Sequence, residues 1–154
     1  MRDSTNADIS FFDASNVKKE LIEHHGGCHC GTIRFKVLAP QHLDVFECNC
    51  SICIKKQNFH FIVPKANFQL LQGSDNITTY TFNTKQAKHT FCKTCGVQSF
   101  YTPRSNQDGI GVMPHCLDPG TILSVNTKKY DGQNWEESYQ QSDITKYSLN
   151  RFDE

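Results

Sequence analysis

The chain has 154 residues, a length typical of a single domain. Its 16 Lys and Arg residues balance its 16 Asp and Glu residues, so no basic field argues for nucleic-acid binding and no acidic tail argues for a solvating role. The hydrophobic fraction is 37%, against roughly 45–50% for an average globular chain on a count that includes glycine, so we expect a thin core with another source of stability.

The amino-terminal segment, residues 1–24, is polar and shows no strand pattern. Within it, ASNVKKELIEH places Val17, Leu21 and Ile22 at helical spacing, which predicts a short helix on a polar arm. MRDSTNADIS lacks the apolar region of a secretory signal, and no apolar run approaches the roughly 18 residues of a membrane span. We therefore expect a soluble intracellular protein, cytoplasmic or nuclear, whose thiols stay reduced.

From Gly26 onward the pattern is that of short strands separated by turns. TIRFKV alternates, with Ile33, Phe35 and Val37 on one face of a strand. Further predicted strands are DVFEC, FHFIV, FQLLQ, ITTYTF, KHTFC, VQSFYT and ILSV, and Gly, Pro, Asn and Asp lie between them. DGQNWEESYQQSD is too polar for a core strand and is predicted as a surface helix. The sequence therefore predicts a mainly β fold.

Seven of the eight cysteines fall in three short clusters. The clusters contain Cys28 and Cys30, then Cys48, Cys50 and Cys53, then Cys92 and Cys95. In a reducing compartment such clustering favours metal binding over disulfides or scattered buried thiols.

The first and third clusters have the pattern of two half-sites of one tetrahedral centre. The C-x-x-C-G of Cys92 and Cys95 can bind one ion across a tight turn, where Gly96 can adopt a positive φ. Together with Cys28 and Cys30 it supplies four thiolates, the ligand set of a closed zinc site that would stabilise a thin core. A redox pair at Cys92 and Cys95 is the alternative, but it requires a βαβ context and the flanks here are β.

The middle cluster supplies three cysteines as C-x-C-x-x-C. Three protein ligands are typical of a catalytic zinc, whereas four are typical of a structural one. A fourth ligand from Cys116, His60, His89 or His115 would make this a second closed site. Pairing of the first cluster with the middle one is a further arrangement that the spacing allows.

GGCHCGTIRF, CNCSIC, TFCKTCG and HCLDPGT together resemble the glutathione-dependent formaldehyde-activating enzyme family over about residues 25–140. HFIVPKANFQLLQGSDNITTYTFNT and GVQSFYTPRSN are similar to its animal branch, typified by centromere protein V. The resemblance implies several small coiled antiparallel β-sheets organised around zinc, between the arm of residues 1–24 and a polar tail of residues 141–154. It also implies a structural zinc on Cys28, Cys30, Cys92 and Cys95, and a second, catalytic zinc on Cys48, Cys50 and Cys53.

The activity implied by the resemblance is that of a carbon–sulfur lyase. Glutathione, as co-substrate, adds reversibly to formaldehyde to give S-hydroxymethylglutathione, with two Zn²⁺ expected per chain. The other function class is a non-catalytic zinc module that binds a protein partner at chromatin or the cytoskeleton. The arm is short and of mixed charge, which argues against nucleic-acid binding and centromere targeting.

Several side chains are candidates to surround an anionic tripeptide thiol. Each of the cationic ones is also compatible with an ordinary solvated charge, and His60 with a hydrogen-bonded structural role. Tyr80, Phe82, Phe91, Phe100 and Tyr101 are predicted in the core rather than against a substrate. The candidates are Arg104 in the YTPRSN loop and five residues that follow the middle cluster closely, namely Lys55, Lys56, Gln57, Asn58 and His60.

Overall fold

The structure is a computed structural model, and it describes residues 20–149. Within these residues ten strands form three sheets. The strands are β1 (Ile22–Gly27), β2 (Arg34–Ala39), β3 (His42–Cys48), β4 (Phe59–Pro64), β5 (Phe68–Gln72), β6 (Ile77–Tyr80), β7 (His89–Cys92), β8 (Phe100–Tyr101), β9 (Gly109–Val112) and β10 (Ser124–Tyr130). The helices are α1 (Ser51–Lys56) and α2 (Trp135–Gln141), and single 3₁₀ turns lie at Lys65–Asn67, Ser74–Asn76, Pro114–Cys116, Gly132–Asn134 and Ile144–Ser148.

The ten strands form three small sheets, and these confirm the predicted mainly β architecture. The largest has the order β10-β3-β4-β9-β8, the second β1-β2-β5, and the third β6-β7. All named pairs are antiparallel except β10 with β3, where Ser124 lies opposite His42 and Tyr130 opposite Cys48. The prediction of antiparallel sheets was wrong for this pair, because β10 reaches β3 only after a long connection through most of the fold.

The predicted amino-terminal helix lies mostly outside the described residues. Where the two overlap the prediction was wrong, since Ile22–Gly27 is β1, antiparallel to β2. His24 of this strand is completely buried, and its ring bonds to Thr121 Oγ1 at 2.8 Å and to two backbone carbonyls. These long-range contacts outweigh the helical spacing of the local sequence. The surface helix predicted in DGQNWEESYQQSD is confirmed as α2.

The main core lies between the first two sheets. Ile33, Phe35 and Val37, predicted to share a face, are all buried, with at most 2% exposure. Phe35 and Val37 pack with residues of β3, β4 and β9. Phe46 of β3 and Ile62 of β4 point to the opposite side of the sheet. They form a second cluster, which packs against α2 and the last 3₁₀ turn.

No helix within residues 20–149 has the length and apolar character needed to cross a membrane.

Candidate metal centres and the adjoining cavity

The first and third cysteine clusters lie together in the structure. The Sγ atoms of Cys28, Cys30, Cys92 and Cys95 all lie within 4.8 Å of one another. Cys30 Sγ is 3.7 Å from both Cys28 Sγ and Cys92 Sγ. A disulfide requires about 2.05 Å, whereas zinc with four bonds of about 2.3 Å to sulfur spaces its ligands about 3.8 Å apart. The arrangement therefore fits one tetrahedral metal ion.

Local turns aim N–H groups at these sulfurs. Gly96 has φ 76°, as predicted for this turn. The backbone N–H of Ile33 donates to Cys28 Sγ at 3.3 Å, and that of Thr94 donates to Cys92 Sγ at 3.3 Å. Backbone N–H groups, that of Cys95 first, lower the pKa of Cys92 to about 6. The turn of Cys92 is thus prepared to hold a thiolate, which is the form that binds zinc, whereas burial raises the pKa of Cys28 to about 11.

The middle cluster forms a separate group. Cys48 ends β3, Cys50 precedes α1 and Cys53 lies within it, and their three Sγ atoms are within 4.8 Å of one another. Among residues 20–149, no histidine, further cysteine or carboxylate joins this group. Cys116 also lies outside the four-cysteine cluster, and its thiol contacts the backbone carbonyl of Gln98 at 3.8 Å.

The charge of the three-cysteine cluster favours a cation. The neighbouring thiols of Cys48 and Cys53 donate to Cys50 and lower its pKa, while the same contacts and burial raise the pKa of Cys53. The side-chain amide of Asn58 also donates to Cys53 Sγ at 3.4 Å. Three sulfurs so close cannot all ionise without a compensating positive charge. As soft donors they fit zinc.

The three-cysteine cluster lines a cavity of about 400 Å³. No residue of the four-cysteine cluster lines this cavity. Its volume lies in the range of small-molecule sites. Side chains from distant parts of the chain complete the lining, chiefly His60, Phe82, His89, Tyr101, Arg104 and Trp135.

The cavity is assembled by the parallel pairing of β10 with β3. That pairing sets Tyr130 opposite Cys48, and the chain then turns through Gly132 into α2. A Cβ atom on Gly132 would overlap Cys48 Sγ and would come within 2.8 Å of Cys50 Cβ. Glycine is therefore needed where this turn passes the cluster.

Some of the predicted side chains reach the cavity. His60 is 4% exposed, its Nε2 lies 3.1 Å from the Tyr101 hydroxyl, and burial lowers its pKa to about 4. Arg104 lies with Cζ 3.6 Å from the centroid of the Trp135 ring, and donates to Glu136 at 3.0 Å. Both therefore have fixed positions at the cavity wall.

The other predicted side chains lie elsewhere. Lys56 Nζ sits 4.9 Å from the centroid of the Phe91 ring, where burial lowers its pKa. Asn58 contacts the cluster through Cys53, and Gln57 lies at the end of α1. None of these three lines the cavity, and neither does Lys55.

Sequence reasoning missed several residues of the cavity wall. Phe82 was predicted in the core but is exposed along the cavity, Tyr101 is buried as predicted and also lines the cavity, and His89 was considered only as a metal ligand. Trp135 was not singled out. The one available signal was that Trp135, the single tryptophan, stands in an otherwise polar segment.

Comparisons with known proteins agree with the cysteine pattern. The model of the family "glutathione-dependent formaldehyde-activating enzyme" matches residues 23–136. A Halomonas elongata protein described as a candidate glutathione-dependent formaldehyde-activating enzyme is 50% identical over 30 residues, which cover 20% of this chain and 19% of that protein. The crystal structure of a Rhodobacter sphaeroides protein is similar with a TM-score of 0.57 and 28% identity, over 66% of this chain and 99% of that one. Because the family model covers most of the chain, this protein belongs to the glutathione-dependent formaldehyde-activating enzyme family.

Proposed function

We propose that the protein is a zinc-dependent carbon–sulfur lyase that forms and cleaves S-hydroxymethylglutathione. The observation that carries this proposal is the difference between the two cysteine clusters. The three-cysteine cluster lines a cavity of about 400 Å³, and the four-cysteine cluster does not. A metal site beside a ligand cavity suits chemistry, whereas a four-cysteine site away from it suits a structural role.

The reaction requires no oxidant or reductant. In the addition direction the glutathione sulfur forms a bond to the formaldehyde carbon, the π electron pair moves to oxygen, and the thiol proton ends on that oxygen. Zinc held by Cys48, Cys50 and Cys53 would supply stabilisation of a thiolate and polarisation of an aldehyde oxygen. Cleavage reverses each of these steps.

Arg104 is the residue best placed to bind the anionic tripeptide. Its guanidinium is fixed against Trp135 and by Glu136, so little side-chain freedom is lost when a carboxylate binds. Glu136 is three-quarters exposed, and a substrate carboxylate can compete for the same guanidinium. Lys55 and Lys56 are less suitable, because neither lines the cavity.

His60 and Tyr101 form the inner wall beside the cluster. Burial keeps the imidazole of His60 neutral near pH 7 and raises the pKa of the Tyr101 hydroxyl well above its ordinary value. The pair therefore adds polar but uncharged groups next to the sulfurs. Such a wall limits the access of water to the sulfurs and places no charged group beside them.

The structural zinc is assigned to Cys28, Cys30, Cys92 and Cys95. This assignment is supported by the 3.7 Å spacing between sulfurs and by the backbone N–H donors. With the second zinc, it predicts two metal ions per chain.

Two measurements test this function. Metal analysis of the purified protein is expected to give two zinc ions per chain, and one after Cys50→Ala. Exchange NMR on a mixture of glutathione and formaldehyde is expected to show faster interconversion with the adduct, and Cys50→Ala is expected to abolish the acceleration. Cys116→Ala is the matched control, because Cys116 lies outside both cysteine clusters and should keep both zinc ions and activity. A protein that holds two zinc ions and leaves the exchange rate at its uncatalysed value would refute the proposal.

The alternative, a non-catalytic zinc module with a protein partner, stays a prediction. The relatives reported above are not named for a centromere, chromatin or cytoskeletal role, and the similarity to the animal branch rests on the sequence resemblance alone.

A further inference from the structure

His89 is the feature of the cavity that the proposed reaction leaves unexplained. It begins β7, is 2% exposed, and lines the cavity together with the three-cysteine cluster. Its ring stacks on Phe82 at 5.8 Å and on Tyr101 at 5.2 Å between centroids, with interplanar angles of 26° and 15°. Two aromatic rings therefore lie nearly parallel to the imidazole, and the edge that carries the ring nitrogens makes neither of these stacking contacts.

Both ring nitrogens of His89 are buried without a hydrogen-bond partner among the described residues. The other buried histidines differ from it. His24 bonds to Thr121 and to backbone carbonyls, and His60 bonds through Nε2 to Tyr101, so that only its Nδ1 has no partner among the described residues. Buried polar groups are almost always paired, so the imidazole of His89 has a hydrogen-bonding capacity that a ligand in the cavity can satisfy.

The chemistry of this group matches a hydroxyl. Burial and the nearby Lys56 ammonium lower the pKa of His89, so its ring is neutral near pH 7. A neutral imidazole offers one N–H donor and one acceptor nitrogen. A ligand hydroxyl can accept a hydrogen bond from the N–H or donate one to the acceptor nitrogen, whereas an alkyl group can do neither.

We propose that His89 binds the hydroxyl group of an S-(1-hydroxyalkyl) thioether, the class of adduct that a thiol forms with an aldehyde. The inference rests on the proposed function and deepens it, since it names the group that distinguishes the adduct from an ordinary thioether. Phe82 and Tyr101 hold the ring in position, and His89 itself contacts the substrate. The two histidines therefore differ in role, because His60 is already paired with Tyr101.

A matched pair of stable ligands tests this inference. S-(2-hydroxyethyl)glutathione and S-propylglutathione have the same number of non-hydrogen atoms and differ by the hydroxyl. Their dissociation constants for the zinc-loaded protein are measured by calorimetry. His89→Phe removes one hydrogen bond to the hydroxyl ligand. Relative to the dissociation constant of S-propylglutathione, that of S-(2-hydroxyethyl)glutathione is therefore expected to be about tenfold higher in His89→Phe than in the wild type.

Two further readouts separate ligand binding from a structural role. His89→Phe keeps an aromatic ring for stacking and removes an unpaired buried polar group, so its melting temperature should be equal or higher. His89→Gln keeps a donor and an acceptor and should restore part of the preference for the hydroxyl ligand. A lower melting temperature with equal loss of both ligands would overturn the inference in favour of a structural role.

The outcomes also separate this inference from the proposed function. If both ligands bind the wild type and His89→Phe leaves the ratio of their constants unchanged, the role of His89 is refuted and the glutathione site stands. If neither ligand binds the wild type, the proposed glutathione site is refuted and the inference falls with it.

Discussion

Zinc is expected to stabilise the fold much more through the four-cysteine cluster than through the three-cysteine cluster. A metal stabilises the native state only to the extent that it binds the unfolded chain more weakly. Cys48 and Cys53 are only five residues apart, so the unfolded chain can gather all three sulfurs of their cluster at little cost. Cys30 and Cys92 are 62 residues apart, so the unfolded chain must close a long loop to assemble theirs.

The magnitude follows from the entropy of loop closure. For a loop of this length the cost to the unfolded chain is about 4 kcal/mol, against about 2 kcal/mol for the short cluster. At saturating zinc, Cys30→Ser should therefore lower the free energy of unfolding by about 4 kcal/mol, a large share of the stability of a small domain. Cys30 is exposed, so the substitution itself removes little packing.

Urea unfolding in zinc buffer and in chelator measures this difference. Cys50→Ser is the matched control, expected to lose at most about 2 kcal/mol. In chelator the wild type and both variants should have nearly equal stability, because the metal contribution is then absent. The reasoning is refuted if the wild type unfolds at the same urea concentration with and without chelator, or if Cys50→Ser costs as much as Cys30→Ser.

Four further outcomes are expected. Arg104→Ala should raise KM for glutathione about tenfold with little change in kcat, because it removes one charged contact with the substrate, as steady-state kinetics can show. Gly132→Ala should displace Cys48 and reduce the metal content from two zinc ions towards one in a folded protein, and an unchanged content would contradict the tight contact. Burial lowers the pKa of His60 from an ordinary value near 6.5 to about 4. Between these two pH values the unfolded chain binds a proton that the folded chain does not, so the free energy of unfolding decreases as pH falls from 6.5 towards 4. The share from His60 is expected at about 1.4 kcal/mol per pH unit in metal-free protein, and the loss should be smaller by that share in His60→Gln, where His89 still contributes. Tyr101→Phe should cost about 1 kcal/mol in thermal unfolding, because it removes the partner of His60 Nε2.

The strands were predictable where side-chain alternation is strong and local. TIRFKV shows this, since Ile33, Phe35 and Val37 are buried together as expected. β9 was missed because GIGV, residues 109–112, contains two glycines and has no clear alternation. β1 was predicted as part of a helix, because its pairing with β2 and the burial of His24 depend on residues far along the chain.

The three short cysteine clusters follow from the sequence, because ligands two or three residues apart in a turn are brought together by local backbone geometry, whereas the tertiary structure joins the first cluster to the third. The sequence also determined the family, through the order and spacing of all three clusters. Tertiary structure alone decided which group adjoins a cavity. The parallel pairing of β10 with β3 brings α2 and Trp135 beside Cys48, and β4, β7 and β8 contribute His60, His89 and Tyr101 from separate segments. These contacts join residues far apart in the chain, and no local pattern encodes them.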